Sequence, residues 1–465
     1  TYVDETEEIT RHCEGGEDYM SEQPSPPSSG YRTAEDSSVS GGVPRHTRCP
    51  SFVSSQQHRT RSSPSLHIEA SETGPIIPRA SLNSQEWPLR NPNEAILFRH
   101  YVQNLATWLD ACDPLRHFQT LVPRKARTCP ILLNAIFAAA SRHLSNTSEY
   151  DDLASNRYHE QCLKFLIPTL NHATVVSDED MFAATIILRL LEEIEVKHTG
   201  MDSHGYLLGI HAFVNGGEHP LQTGGLVSAA FWVGLRQEIY IASMDHQPVK
   251  INLPHGMVDR SLEPADDSTW SNRAVVHIAD VLNFCFGNDK SFSWWTELRE
   301  WCTRWQESLP PTFTPIYEKK ESEYQPFPEI WYDNACSVIG IQHHILANMF
   351  LTRFDPQIPQ IGGQRKASVT KMTLAVCIGQ RLKPTKQEIM RLVRRICGIG
   401  LCNQWTPPAM FTACMAIAAF GDLFQDQKDQ EALLDILQRT ERNHSRPTEA
   451  TQQQMIKSWG WISEE

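Results

Sequence analysis

SDEDMFAATIILRLLEEIEVKHTG, residues 177–200, decides the fold. Ser177 reads as a helix cap, and Asp178, Glu179 and Asp180 follow it in the first turn, where the helix dipole favours negative charge. Met181, Ala184, Leu188, Leu191 and Ile194 recur at helical spacing and form an inner face. Lys197 and His198 close the last turn and Gly200 supplies a stop. Roughly 20 residues at 1.5 Å rise is about 30 Å, the diameter of a domain core. Such a helix can organise a bundle.

The same period extends in both directions. Upstream, Leu97, Phe98, Tyr101, Val102, Leu105, Trp108 and Leu109 mark one helix face, which Asp113-Pro114 ends. ILLNAIFAAASRHL (131–144) is apolar nearly all round, the pattern of a buried helix. Downstream, the spacing predicts helices over 205–214, 226–243, 271–286, 293–308, 329–353, 386–402, 407–424, 429–440 and 449–461. Stops fall at GGEHPLQTGG (216–225), in the Pro-interrupted 247–269, and at LPPTFTP (309–315). Thr385-x-x-Glu388 reads as a capping box, and Thr406-Pro407 as a cap before a first-turn proline. No alternating run is long enough to nominate a sheet, and no fixed-period repeat emerges. The fold class is therefore all-α: a large multi-helix domain over 91–465. One stretch disagrees with it: in 362–384, an insertion or irregular loop, MTLAVCIG (372–379) passes for a short strand.

Residues 1–90 differ in kind. They carry 16 Ser and 9 Pro, with 8 Arg and no Lys against 13 acids, for a net charge of −5. Stretches such as SEQPSPPSSG (21–30) lack apolar periodicity, so this reads as a disordered acidic Ser/Pro-rich linker. Ser25-Pro26 and Ser63-Pro64 are phosphorylation candidates within it, although such pairs are common in tracts of this composition.

The whole chain of 465 residues is 40% apolar and carries a net charge of −13. That apolar share supports a sizeable core, and the acidity excludes a generally basic nucleic-acid-binding surface. Twelve cysteines are scattered with no C-x-x-C and no zinc-site spacing, as free thiols in a reducing compartment are. The sequence opens at Thr1 with TYVDETEEIT, which has neither the basic flank nor the apolar stretch of a secretory signal; it reads as a fragment. The longest apolar runs, near 131–140 and 409–420, fall short of the ~20 residues that span a bilayer.

Catalytic patterns are absent: no G-x-S-x-G elbow, phosphate loop, G-x-G-x-x-G or H-E-x-x-H occurs. His343 and His344 point about 100° apart on a helix and cannot jointly grip one metal, which favours structural or surface roles. His204 and His211 share a helix face without a third ligand and read as satisfied core histidines. Glu192, Glu193 and Glu195 cluster, but Glu192 and Glu195 lie off the apolar stripe and read as a solvated face. Trp294, Leu298, Trp301 and Trp305, with Trp295 beside them, form a stripe that reads as core before ligand pocket. Arg124, Lys125, Arg127 and Arg391, Arg394, Arg395 read as solvated helix faces. WTPPAMFTACMAIAAFGD (405–422) reads as a central core helix, with Ala409, Ala413, Ala416 and Ala419 on one stripe. A small-molecule cavity beside Met410, Phe411, Met415 and Phe420 is its other reading. On these readings the chain offers no catalytic, cofactor-binding or metal-ligating residue.

A set of stretches carries a family resemblance. They are NPNEAILFRHYVQNLATWLDACDPLRHF (91–118), ILLNAIFAAASRHLS (131–145), DEDMFAATIILRLLEEIEV (178–196), HGYLLGIHAFVNGGE (204–218) and FWVGLRQEIYIASMDHQPVKINL (231–253). RRICGIGLCNQWTPPAMFTACMAIAAFGD (394–422) and EALLDILQRTERNHSRPTEATQQQMIKSWGW (431–461) continue it. In this order the chain resembles the regulatory (middle and C-terminal) region of fungal zinc binuclear cluster transcription factors, ARCA-like group. The resemblance implies a nuclear, RNA polymerase II-specific, DNA-binding regulator. In that family an amino-terminal zinc cluster of six closely spaced cysteines binds DNA, followed by a linker and a large helical regulatory domain. This sequence departs at the key point: no six-cysteine cluster occurs, and Cys13 and Cys49 are too far apart to stand in. No zinc or DNA-binding residue carries over, and 362–384 also departs from the pattern.

The expected function is then the regulatory and interaction part of such a factor, not an enzyme. DNA contact would come only through a zinc cluster this sequence lacks. Its partners would be proteins of the transcription machinery, with a small-molecule effector and a homodimer as further options and no membrane. A helical interaction regulator that does not bind DNA is the alternative, and an all-helical enzyme the remote one.

Overall fold

Asp178 starts the central helix: its carboxylate accepts from the backbone N–H groups of Asp180 (2.9 Å) and Met181 (3.2 Å). The computed structural model describes residues 87–170, 178–199, 202–216, 219–322, 325–357 and 371–461, and of 169–170, 197–199 and 371–384 the backbone alone. Ser177, Gly200, the linker residues up to 86 and residues 362–370 lie outside the described residues, and with them the expectations placed there.

In chain order the helices are α1 (Pro92–His100), α2 (Ala106–Leu109), α3 (His117–Lys125), α4 (Pro130–Thr147), α5 (Ala154–Leu170) and α6 (Glu179–Thr199). They continue as α7 (Gly205–Asn215), α8 (Pro220–Thr223), α9 (Gly225–Met244), α10 (Asp267–Phe286) and α11 (Phe292–Glu307). After a two-stranded antiparallel ribbon, β1 (Tyr317–Lys319) and β2 (Glu329–Trp331), come α12 (Ala335–Arg353), α13 (Lys371–Cys402), α14 (Pro408–Phe420), α15 (Gln427–His444) and α16 (Glu449–Ser458). The all-α reading holds, with the ribbon as its one addition among the described residues.

Every residue of α6 from Met181 to Ile194 is buried, not one stripe alone. α4, α7 and α9 pack around it. α4 is buried from Ile131 to His143, as its composition demands. α14 packs against α9, α12, α13 and α15, so the alanine helix is a core element; Ala409, Ala413 and Ala416 are fully enclosed. The tryptophan stripe is core: Trp305 is fully buried and stacks on His344 at 4.6 Å, while Trp301 stacks on His277 at 4.1 Å.

Several local expectations are corrected. The helix expected over 329–353 begins six residues late, because Glu329–Trp331 pairs with Tyr317–Lys319 and Asn334 caps α12 through Ser337 N–H. Asn403 fixes that ribbon, donating to Ile330 O (2.8 Å) and accepting from Tyr332 N (3.0 Å). MTLAVCIG is helical backbone, not strand: α13 runs unbroken from Lys371 to Cys402. Thr385 therefore lies inside a helix, and Glu388 pairs with Arg391 (2.7 Å) instead of closing a capping box. Thr406 does not cap α14, which starts at Pro408; its hydroxyl has no partner.

Candidate functional site

Arg189 sits in the middle of the apolar run of α6 and is fully enclosed. A buried guanidinium demands partners. It donates to Glu192 Oε2 (2.7 Å) one turn on and to both oxygens of Asp202 (2.7 and 2.6 Å), and its Nε lies 3.3 Å from Glu193 Oε1. Glu192 in turn accepts from Gly205 N (2.7 Å) and Tyr206 N (3.3 Å), anchoring the start of α7 at the dipole's positive end. The second cation arrives from far along the chain. Ser445, in the left-handed region (φ 56°), reverses the chain after α15, and Arg446 turns inward to pair with Glu193. The Arg446 guanidinium lies 3.9 Å over the Tyr240 ring and 5.1 Å over Phe411.

Glu195 is half-buried, whereas Glu192 is buried beside Glu193, which overturns the solvated-face reading at Glu192. Their burial works because two guanidiniums face three carboxylates there. Burial opposes the charge of Arg189, but Glu193, Asp202 and Glu192 outweigh it and raise its pKa. Arg446 behaves likewise: burial opposes its charge, and Glu193 and Tyr240 outweigh that. Burial would raise Asp202, yet Arg189 holds it below the usual carboxylate range.

Beside this network lies a cavity of about 80 Å³, walled by segments from six parts of the chain. Trp108 and Leu109 close one side, Leu190 and Glu193 of α6 another. α9 contributes Arg236, Gln237 and Tyr240, α12 Ile339 and His343, and α14 Phe411, Thr412 and Met415. Arg446 completes the wall. Three lining residues carry a buried polar atom without a hydrogen bond: Arg236 Nη1, a donor, Gln237 Oε1, an acceptor, and Glu193 Oε1, which faces Arg189 Nε at 3.3 Å. Arg236 is held in place by its Nη2 donating to Leu109 O (2.9 Å). Burial lowers His343 to about 4, so it is neutral at pH 7. Its Nδ1 lies 2.8 Å from Ile339 O, which can only accept; Nδ1 carries the proton and Nε2 is an acceptor. This lining suits a small molecule with apolar body and mixed polar ends. Of the four residues that the second reading of the alanine helix named, Phe411 and Met415 stand on this wall, whereas Met410 and Phe420 do not line the cavity.

The remaining candidates are scattered. His344 faces Trp305, away from His343. His204 precedes α7 and is half-buried; His211 pairs with Glu238 at 2.6 Å; neither is a core histidine. Glu195 meets Arg142 at 3.3 Å. Of the basic groups, Arg124, Arg127 and Arg391 are exposed, as read, while Lys125 pairs with Glu179 and Asp180, Arg394 with Asp429 and Arg395 with Glu318. Among the described residues, no three His, Cys, Asp or Glu side chains converge to hold a metal, and no helix is long and apolar enough to cross a membrane. Sequence reasoning missed Arg189, Asp202, Arg236, Gln237, Tyr240 and Arg446. An arginine inside ATIILRLLEE was a usable signal for the first, since such a charge survives burial only when paired.

Residues 96–210 match the family model described as fungal specific transcription factor domain. No curated protein and no solved structure matches the chain. The matched span runs from α1 into α7, and so contains Trp108, Arg189, Glu193 and Asp202 but not Arg236, Tyr240, Phe411 or Arg446.

Proposed function

We propose that this chain is the regulatory part of a fungal transcription regulator of the zinc-cluster type, acting in the nucleus on genes read by RNA polymerase II. The match over residues 96–210 carries the reading; it is to a transcription-factor domain and not to an enzyme family, and it supports a fungal transcription regulator. In this account DNA contact belongs to a zinc cluster of that family, which these 465 residues do not contain. The helical domain would instead receive signals, from protein partners of the transcription machinery or from a small effector in the cavity beside Arg236 and Gln237. The clasp of Arg446 on α6 suits such a role, because anything that shifts the C-terminal turn is felt at the core of the matched span.

A tethered reporter tests this. Residues 1–465 fused to an unrelated DNA-binding domain should change transcription from that domain's site by several fold, up or down, relative to the DNA-binding domain alone. Equal output from both, with the fusion present at equal level in the nucleus, refutes the proposal.

A further inference from the structure

The cavity beside the arginine network has an unbalanced wall. Its charged lining residues are Glu193, Arg236 and Arg446, so that cations outnumber anions. Glu193 is taken by Arg446 and Arg189. Among the described residues no carboxylate pairs with Arg236: its Nη2 donates to a backbone oxygen, Leu109 O (2.9 Å), and its Nη1 is buried without a partner. His343 adds no charge, because burial, joined by the nearby positive charge of Arg236, holds it neutral. Next along α9 stands Gln237, 8% exposed, with its Oε1 unpartnered. The Thr412 hydroxyl is already spent on Pro408 O (3.2 Å). One wall therefore holds an open buried donor that carries charge and an open buried acceptor, and burial makes both costly to leave unmet. Much of the remaining lining is apolar, with Trp108, Leu190, Val233, Ile339, Phe411 and Met415.

We propose that this cavity binds a short hydroxycarboxylic acid, of three or four carbons. Its carboxylate accepts from Arg236 Nη1 and balances the charge of the wall. Its hydroxyl donates to Gln237 Oε1, and its carbon chain lies against Trp108, Phe411 and Met415. Each feature of the ligand answers one of the wall. An anion is needed because a guanidinium in a largely apolar enclosure calls for a counter-charge. A donor is needed because Oε1 can only accept. Size sets the rest: a water-sized group fills about 10–15 Å³, so about 80 Å³ admits roughly five to eight non-hydrogen atoms. A three- or four-carbon acid fits that space, and an aromatic acid does not. An amino acid fits worse, since its ammonium adds a further cation to the wall.

The inference rests on the regulatory reading only in making the acid an effector, and binding is measured separately. Isothermal titration of the whole chain at constant ionic strength, with 2- and 3-hydroxybutanoate as probes, should give saturable binding by at least one isomer below about 10 mM. Butanoate should bind about 10-fold more weakly, and the hydroxybutanamides, 2-aminobutanoate and benzoate at least about 10-fold more weakly. These comparisons use the wild-type chain and need no variant to fold. Arg236→Met should abolish binding, whereas Gln237→Leu should lower hydroxybutanoate to the affinity of butanoate and leave butanoate unchanged. An amide, amino acid or aromatic acid that binds as tightly as the hydroxy acids, or no saturable binding by either isomer, overturns the proposal. Binding by a chain whose tethered fusion leaves transcription unchanged overturns the regulatory reading instead and keeps the site.

Discussion

Arg446 pairs with Glu193 from 253 residues away in sequence, and both side chains are buried. This contact joins the turn after α15 to the centre of α6. Removing one partner of such a pair leaves the other charged in a poor solvent, which costs far more than the pair is worth net. Arg446→Met should therefore destabilise the chain by about 3–5 kcal/mol. Adding Glu193→Gln to that variant should recover part of the loss. Urea unfolding of the two singles and the double measures both effects; a loss under about 1 kcal/mol would place the pair among screened surface bridges.

Acid should unfold this protein early. Burial lowers His143 and His344 to about 3 and His343 and His444 to about 4, from 6.5, and holds His277 well below that value. A histidine with a depressed folded pKa contributes stability above pH 6.5 that is lost as pH falls toward the folded value. Each contributes up to about 1.4 kcal/mol per pH unit in that window. Asp110 acts oppositely: burial raises it to about 7, so its folded state holds a proton at low pH, and that contribution fades as pH rises through 7. Five histidines outweigh one aspartate, so the urea midpoint should fall steeply between pH 6.5 and 4. His444→Gln should reduce the slope by about one proton. A midpoint unchanged from pH 7 to 5 contradicts this.

Gly398 stands inside α13, where alanine normally gains about 0.5–1 kcal/mol. Here a Cβ would lie 2.1 Å from the backbone oxygen of Pro328, which carries the chain into β2 and cannot yield as a side-chain tip does. Gly398→Ala should thus lose about 1–3 kcal/mol. Gly256→Ala, with nothing within 4 Å, is the control and should stay near neutral in the same thermal melt.

The 465-residue chain alone should show no sequence-specific DNA affinity at physiological salt. Its net charge is −13, and Lys125, Arg391, Arg394 and Arg395 are already engaged by carboxylates. Fluorescence anisotropy against a pool of duplexes should give binding no tighter than about 10⁻⁶ M, abolished by added salt. A nanomolar site in that pool would contradict it.

The period of 3.6 made many helices readable, because burial of one face imposes a pattern that survives in the sequence, whereas α4 and α6, enclosed all round, were legible from the length of their apolar runs. What failed was non-local. Nothing within Glu329–Trp331 announces a strand, since its reason is a partner at Tyr317–Lys319 and a tether from Asn403. Thr385-x-x-Glu388 satisfied a local rule inside a helix that did not need it. Glu192 looked solvated because the charges that share its burial come together only in the fold: Arg189 on its own helix, and Arg446, which reaches neighbouring Glu193 from a turn with no periodicity to read. The cavity was legible only from one wall, the alanine helix; Arg236, Gln237 and Tyr240 meet that wall through tertiary packing alone.

The central claim is that the matched span and the C-terminal turn form one unit, clasped where Arg446 enters the charges of α6. Hydrogen exchange on the α6 amides tests it most directly. If the claim holds, Arg446→Met should speed exchange across Met181–Ile194 by at least about 100-fold, as about 3 kcal/mol of lost protection requires. Unchanged protection of α6 in that variant, with faster exchange confined to α15 and α16, would show that the matched span stands on its own and would contradict the account.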